Sequence, residues 1–464
     1  MGATPGYRVT PNLDTMMKNR WTVALAGMLL MMSLGTIYSW SLYTQPLISS
    51  FGWSTTTTTW AFSLAIFFLG LGALAGGRLQ DRIGPRKVAL AGVALWGMGN
   101  ILAGLGTATF GVGWLYVTYG VMGGFGVGMG YVTPVAVVTK WFPYRRGLGS
   151  GIVVMGFGLG AVVYNFIVKS VPSFSSAAAA AAQYAQAAQT DVFTARVLPP
   201  EQMSAVMDVL TLSGIAFLLL GGLGAWFLDN PPATSLPKGE AHTTEVRSYT
   251  TREMLATRQF YFLWLMLFVN VTGGILVISN ALPILQELTG ASPRVVATAY
   301  GGVALFNALG RFFWGALSDR IGRSLAYSLI FLLQACVFFV MDGAHSLIWA
   351  VTAYAVILLC YGGGFGTMPS FNADYFGTKH MGANYGAILT AWGAAGVAGP
   401  LFVAAVKDLS GAFSGALPAV ATLLALATIL PFITRRPVPR GAQGALMPIA
   451  PRAHGAANSA RAYR

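Results

Sequence analysis

Residues 292–323 read SPRVVATAYGGVALFNALGRFFWGALSDRIGR. An apolar body of membrane length opens on a Ser-Pro start and closes in a charged turn, which predicts a helix crossing a bilayer. Two features of this stretch set the reading of the whole chain. The closing pattern Gly-x-x-x-Asp-Arg-Ile-Gly, Gly315 to Gly322, occurs again in GRLQDRIGPRK at 77–87. Its two aspartates, Asp81 and Asp319, are separated by about half of the 464-residue chain. Duplication of a six-helix unit, with the repeat axis along the membrane normal, accounts for that spacing. The second feature is Arg311, set in the apolar body with Asn307 one helical turn before it.

Composition agrees with a membrane chain. Charged residues make up 9% of the sequence and hydrophobic residues 55%, and the mean hydropathy is +0.64. A soluble domain carries about 25% charge, so a globule of this size in water is excluded. Apolar runs of helical rather than strand length recur along the chain, which predicts an all-α membrane protein. Twelve transmembrane helices are expected. Those of the first half span roughly 21–46, 57–79, 87–107, 112–138, 147–169 and 206–228. Those of the second half span roughly 260–285, 293–316, 324–341, 346–369, 382–406 and 413–434. The domains that follow are an N-tail 1–20, a six-helix bundle 21–228, a linker 229–258, a second bundle 259–436 and a disordered tail 437–464. The first apolar run lacks a small-residue cleavage site behind it and is read as a retained helix.

Placing both termini in the cytoplasm puts 23 of the 28 lysines and arginines on that side. The outside segments then hold Lys169, Arg196, Arg294 and Lys407, and Arg311 remains in the membrane. This asymmetry predicts a plasma (inner) membrane protein with cytoplasmic termini. It also assigns the net charge of +14 to a rim facing anionic lipid, not to nucleic acid. Cys336 and Cys360 lie in apolar runs and read as small hydrophobes. The Ala-rich segment 175–189 falls in the longest outside loop, where a flexible or weakly helical insertion is expected.

Ionisable groups inside a bilayer are costly and therefore informative. Each of the 14 acids lies in a loop, linker or tail, except Asp208 at a helix start, and all four histidines lie in loops, linker or tail. Arg311 is left. It could be a structural arginine: Asp319 is eight residues on, about 12 Å along a helix, and a long side chain can reach toward that face. It could instead hold a carboxylate through two parallel hydrogen bonds. No metal-ligand cluster, nucleophile–base pair or cofactor motif is read. The glycines of 123–130, 147–160 and 362–366 suit close helix packing, not a nucleotide loop, because no strand precedes them.

The duplicated Gly-x-x-x-Asp-Arg-Ile-Gly on two six-helix halves resembles the major facilitator superfamily of secondary transporters. KWFPYRRGLGSGI (140–152), YGGGFGTMPSFNADYFG (361–377) and GANYGAILTAWGAAGVAGP (382–400) more narrowly resemble the oxalate/formate antiporter family, related to the monocarboxylate transporters. The resemblance implies a carrier working by alternating access, without a cofactor, and an essential arginine in the eighth span with Asp or Asn four residues earlier. Asn307 and Arg311 match that spacing, which sets both on one helix face. It further implies an aromatic box around the anion, carried by position onto Tyr38, Tyr131, Tyr164, Tyr361 and Phe365. Oxalate transporters of the family carry a lysine in the eleventh span where Trp392 stands. A single cation favours a monoanion such as formate, lactate or pyruvate, because oxalate would leave one carboxylate buried and unpaired.

Asp81, Arg82, Arg86, Asp319, Arg320 and Arg323 are expected to form a gate. The aspartates can pair with arginines or cap a neighbouring helix N-terminus, latching the cytoplasmic ends together. Without a membrane acid or histidine, coupling is expected as anion exchange, or as symport in which the proton travels with the substrate acid. The expected partners are a small carboxylate, a proton and the lipid bilayer, and the chain is expected to be a monomer. The alternatives are an oxalate or other dicarboxylate antiporter, a non-transporting sensor of small acids, and a drug-efflux carrier.

Overall fold

A computed structural model of the chain describes residues 19–190, 198–232 and 247–437, apart from 280, 293, 294, 297, 298, 300, 301, 342, 344, 345 and 411–413. Twelve helical passes run through the described residues. In the first half, α1 runs Arg20–Gly35, tightens into a 3-10 turn Thr36–Ser39 and resumes as Ser41–Phe51. It is followed by α2 (Thr55–Ile83) and α3 (Pro85–Phe110). The fourth pass, α4, contains a π-helical segment Tyr116–Gly123 before Gly124–Trp141, and α5 (Arg146–Lys169) and α6 (Pro200–Trp226) complete the half. In the second half, α7 (Arg258–Ser279, then Ala281–Thr289), α8 (Ala304–Ile321), α9 (Arg323–Met341), α10 (Leu347–Phe376), α11 (Met381–Ser410) and α12 (Leu417–Ala427, Leu430–Ile433) follow in order. Among the described residues, eight passes are long and apolar enough to cross a membrane by length and hydropathy alone. No strand is formed among the described residues.

The halves meet mainly through two pairs, α2 against α11 and α5 against α8. These pairs exchange under the internal repeat, so each half offers its motif-bearing helix to the other half's fifth helix. Glycine makes this approach possible. A Cβ on Gly147 would fall onto the carbonyl of Gly315, and one on Gly77 would fall onto the carbonyl of Gly382. Each motif then turns on a glycine with positive φ, 93° at Gly84 and 90° at Gly322, where an L side chain would be strained.

Several expectations are corrected. The motif aspartates lie in the last turns of α2 and α8 rather than in loops, and Asp374 lies in the last turn of α10. These helices run beyond their apolar spans because their charged ends find partners. Asp208 lies in the third turn of α6, exposed, since Pro200 starts that helix earlier than hydropathy suggests. Of the two readings of the Ala-rich segment, flexible or weakly helical, the structure has the helical one: Pro172–Thr190 is one helix packed on the outer part of α1 and on α6. Phe174, Ala177 and Ala181 are buried there, and alanine's low side-chain entropy suits it to such a helix. The start of the eighth span at Pro293, most of the N-tail, much of the linker and the tail after Pro437 lie outside the described residues.

Candidate functional site

Arg311 sits in the middle of α8 and is fully buried. Among the described residues it is the one charged side chain in the buried class. Two glycines of α10 let that helix press on α8 at this level: Cβ atoms on Gly362 and Gly366 would fall onto the carbonyls of Asn307 and Arg311. Asn307 accepts a hydrogen bond from Arg311 Nε at 3.1 Å, so one amide orients the guanidinium from one turn away. Neither Nη1 nor Nη2 makes a hydrogen bond of normal geometry among the described residues, although the Tyr38 and Tyr131 hydroxyls stand close enough to interact with the guanidinium. A buried guanidinium with two idle nitrogens is an expensive arrangement.

The surroundings of the guanidinium are aromatic. Its Cζ stands 4.8 Å from the ring centre of Phe365 and 5.2 Å from that of Phe157, within cation–π range. Trp392 closes the cage, 4.5 Å from Phe365, 5.1 Å from Tyr131, 5.5 Å from Phe157 and 6.1 Å from Tyr38 between ring centres. Tyr361 packs edge-on to Phe365. Its hydroxyl shares a 2.6 Å hydrogen bond with that of Tyr38, joining the two halves across the cage. The 3-10 turn in α1 carries Tyr38, and Gly35 beside it lets α1 approach the backbone of Phe157 on α5. The hydroxyls of Tyr38, Tyr131 and Tyr385 lie within electrostatic reach of the guanidinium. Those of Tyr131 and Tyr385 and the Trp392 indole N–H are buried without hydrogen-bond geometry to any described group.

The structure thus brings together Arg311, Asn307, Tyr38, Tyr131, Tyr361, Phe365 and Trp392. Tyr164 stands apart. Its hydroxyl bonds those of Tyr43 and Ser213, in a polar knot internal to the first half. Position along α5 alone does not reveal this, because Tyr164 lies seven residues, two turns, beyond Phe157. Phe157 and Tyr385 were not read from the sequence. Phe157 has no polar group to mark it; Tyr385, seven residues before Trp392, shares its helix face and was open to detection by periodicity.

The charged end of the bundle is built on the repeat, unequally. Asp319 accepts from the N–H groups of Gly147 (2.9 Å) and Leu148 (2.8 Å), at the N-terminus of α5, and pairs with Arg323 at 2.7 Å. Arg323 also reaches Asp374 at 2.9 Å, and Asp374 pairs with Arg146 of the other half at 2.6 Å. On the repeat-related side, Asp81 accepts from the N–H of Ala383 (2.8 Å) at the start of α11. Three of the expected gate arginines pair with neither motif aspartate among the described residues. Arg86 turns to Asp229 at 4.0 Å and stacks on Trp226, because the end of α6 is its nearest partner. Arg82 and Arg320 point outward, exposed and without an ion pair among the described residues. Arg146 and Asp374, which carry the cross-half ion pair, were missed although both stand in stretches with family-like sequence.

The sequence pattern of the Major Facilitator Superfamily matches residues 23–400. The oxalate:formate antiporter of Oxalobacter formigenes is 29% identical over 371 residues, covering 79% of this chain and 80% of that protein. Apicoplast pyruvate carrier 1 of Toxoplasma gondii is 28% identical over 369 residues, covering 71% and 66%. Among solved structures, the proton:xylose symporter XylE superposes with a TM-score of 0.64 at 15% identity, covering 89% of this chain and 95% of that one. FucP in its outward conformation gives 0.62 at 16% identity, covering 89% and 100%. With its repeated motif, its twelve passes and this match across most of its length, the chain belongs to the Major Facilitator Superfamily.

Proposed function

We propose that this transporter carries small organic monocarboxylates, of the formate, lactate or pyruvate kind, by alternating access and in exchange for another anion. The observation that carries the reading is the pair of idle, buried Arg311 nitrogens inside an aromatic cage. A carboxylate accepts two parallel hydrogen bonds from such a fork, and the charge it brings compensates the buried cation. Tyr131, Tyr385 and the Trp392 indole can donate to the remaining lone pairs, while the rings exclude water. With one buried cation among the described residues, a monoanion is matched and a dicarboxylate leaves a charge uncompensated. Relatives named for formate and for pyruvate support a small-carboxylate substrate, and the first of them is named for oxalate as well.

Exchange follows from the same arrangement. Among the described residues no aspartate, glutamate or histidine is buried, so no embedded acid is at hand to neutralise Arg311 when the carrier reorients empty. Reorientation is therefore favoured with an anion aboard. The basic, latched end faces the cytoplasm, with both termini on that side, in a plasma (inner) membrane. The bundles 21–228 and 259–436 rock against each other as two bodies.

Counterflow in proteoliposomes tests this. Purified protein takes up labelled short monocarboxylate only when the lumen holds an anion to exchange, and Arg311→Lys lowers that rate at least about a hundredfold with helix content unchanged, since lysine lacks the planar fork. Rapid net uptake into vesicles without internal anion or pH gradient contradicts exchange. Counterflow near the wild-type rate in Arg311→Lys contradicts the role of the guanidinium.

A further inference from the structure

At the latched end, on the outer surface of the first half, the start of α1 and the turn between α4 and α5 enclose a cavity of about 330 Å³. Its apolar part is Trp21, Phe142 and Leu148, and its charged lip is Arg20 and Arg145, with Tyr144 beside them. Trp21 packs edge-on against Phe142 at 5.2 Å, and Arg20 lies 5.7 Å from the centre of each of these rings. Both arginines are exposed and make no ion pair among the described residues. Neither arginine has a carboxylate partner among the described residues, whereas the neighbouring Arg146 is paired with Asp374.

We propose that this cavity binds one anionic phospholipid, its phosphate held by Arg20 and Arg145 and the upper part of an acyl chain lying on Trp21, Phe142 and Leu148. Three observations favour lipid over other occupants. The cavity lies where α1 begins, α4 ends and α5 begins, and the ends of helices of spanning length fall where a bilayer meets water. Exposed Trp21 and Tyr144 are amphipathic rings of the kind enriched at that level. Two uncompensated arginines above an apolar floor match an anionic headgroup on an acyl chain, whereas a free small anion has no use for the floor. The N-tail that precedes Arg20 is a poor occupant, since its charges Arg8 and Lys18 outnumber Asp14 and repel the lip. The site adjoins the latch: Leu148 forms part of its floor, and the backbone N–H of Leu148 holds Asp319.

Native mass spectrometry of the full chain, titrated with phosphatidylglycerol or phosphatidylcholine, tests the site. The wild type retains one phosphatidylglycerol more tightly than any phosphatidylcholine. Arg20→Gln with Arg145→Gln weakens that first binding roughly tenfold, while Arg20→Lys with Arg145→Lys keeps most of it and controls for folding. A Trp21→Ala variant weakens it with both arginines in place, which separates the acyl floor from charge alone. Equal retention of the two lipids, or unchanged phosphatidylglycerol binding in the Gln variant, overturns the proposal. So does inorganic phosphate displacing the lipid at micromolar concentration, which would make the site one for a free anion.

Discussion

Arg311 and Arg323 stand at opposite ends of one argument. Arg323 follows α8 directly and its guanidinium is fully employed, by Ser318 (2.5 Å), Asp319 and Asp374. Arg311, three turns earlier in the same stretch, is more deeply buried, stacks between Phe157 and Phe365, and makes one hydrogen bond of normal geometry, to the amide of Asn307. A protein that can satisfy an arginine completely at the end of a helix has left the one in its middle open. Arginines held by carboxylates of their own chain build a state of the carrier; an arginine without one is suited to a carboxylate from outside.

The repeat supplies a second contrast within the latch. Asp319 gathers two backbone N–H groups and an arginine, and Asp374 ties that cluster to the other half through Arg146. Asp81 accepts from the N–H of Ala383, with the N–H of Gly382 and the Lys140 ammonium close by, but forms no ion pair among the described residues; where Asp374 closes the ring on one side, Lys140 ends α4 on the other and bonds Asn230 of its own half. One latch is an ion network and the other a helix cap. Under the alternating access proposed above, this arrangement would make the α5–α8 side the stronger hold.

That asymmetry can be broken directly. Asp374→Asn removes two ion pairs whose side chains are 13–21% exposed. Loss of a buried pair costs about 3–5 kcal/mol and partial exposure lowers this, so we expect the latch-open population to rise at least tenfold, read by spin-label distances across that end. Asp319→Asn produces a comparable opening, and Asp81→Asn a smaller one, of about threefold, because a helix cap weakens there and no ion pair is broken. Equal effects of Asp81→Asn and Asp319→Asn would remove the contrast.

Inside the bundle the comparison is between two tyrosines. Tyr131→Phe removes a hydroxyl facing the guanidinium and lowers counterflow roughly tenfold. Tyr164→Phe lies outside the cage and changes counterflow by less than about threefold. The smallest effects belong to Arg82→Ala and Arg320→Ala, exposed arginines whose loss shifts opening and counterflow by less than about twofold.

The sequence made the architecture legible because apolar length, basic asymmetry and a motif occurring twice are one-dimensional signals. Arg311 was legible for the same reason: a charge in an apolar run needs no structure to be noticed. What surrounds it was only partly legible. Tyr38 and Tyr361 belong to different halves, and only folding joins their hydroxyls. Tyr164 was assigned to the cage by its helix, but which way a side chain turns depends on Ser213 and Tyr43, distant in sequence. The latch is legible in part: the aspartates cap neighbouring helix starts and Asp319 pairs with Arg323, but charge spacing along the chain does not show that Asp374 and Arg146 meet across the repeat. The Ala-rich segment reads as flexible or weakly helical, and its composition gives no hint of the outer surface of α1 that buries it.

The account rests on Arg311 holding the substrate's charge. Thermal-shift measurements on purified wild type and Arg311→Ala, screened against formate, acetate, lactate, pyruvate and oxalate, test it most directly. The account predicts that at least one monocarboxylate raises the wild-type midpoint by several degrees, more than oxalate does, and that Arg311→Ala, folded and with a midpoint near or above the wild type's, shows no shift. A carboxylate that stabilises both proteins equally would contradict it.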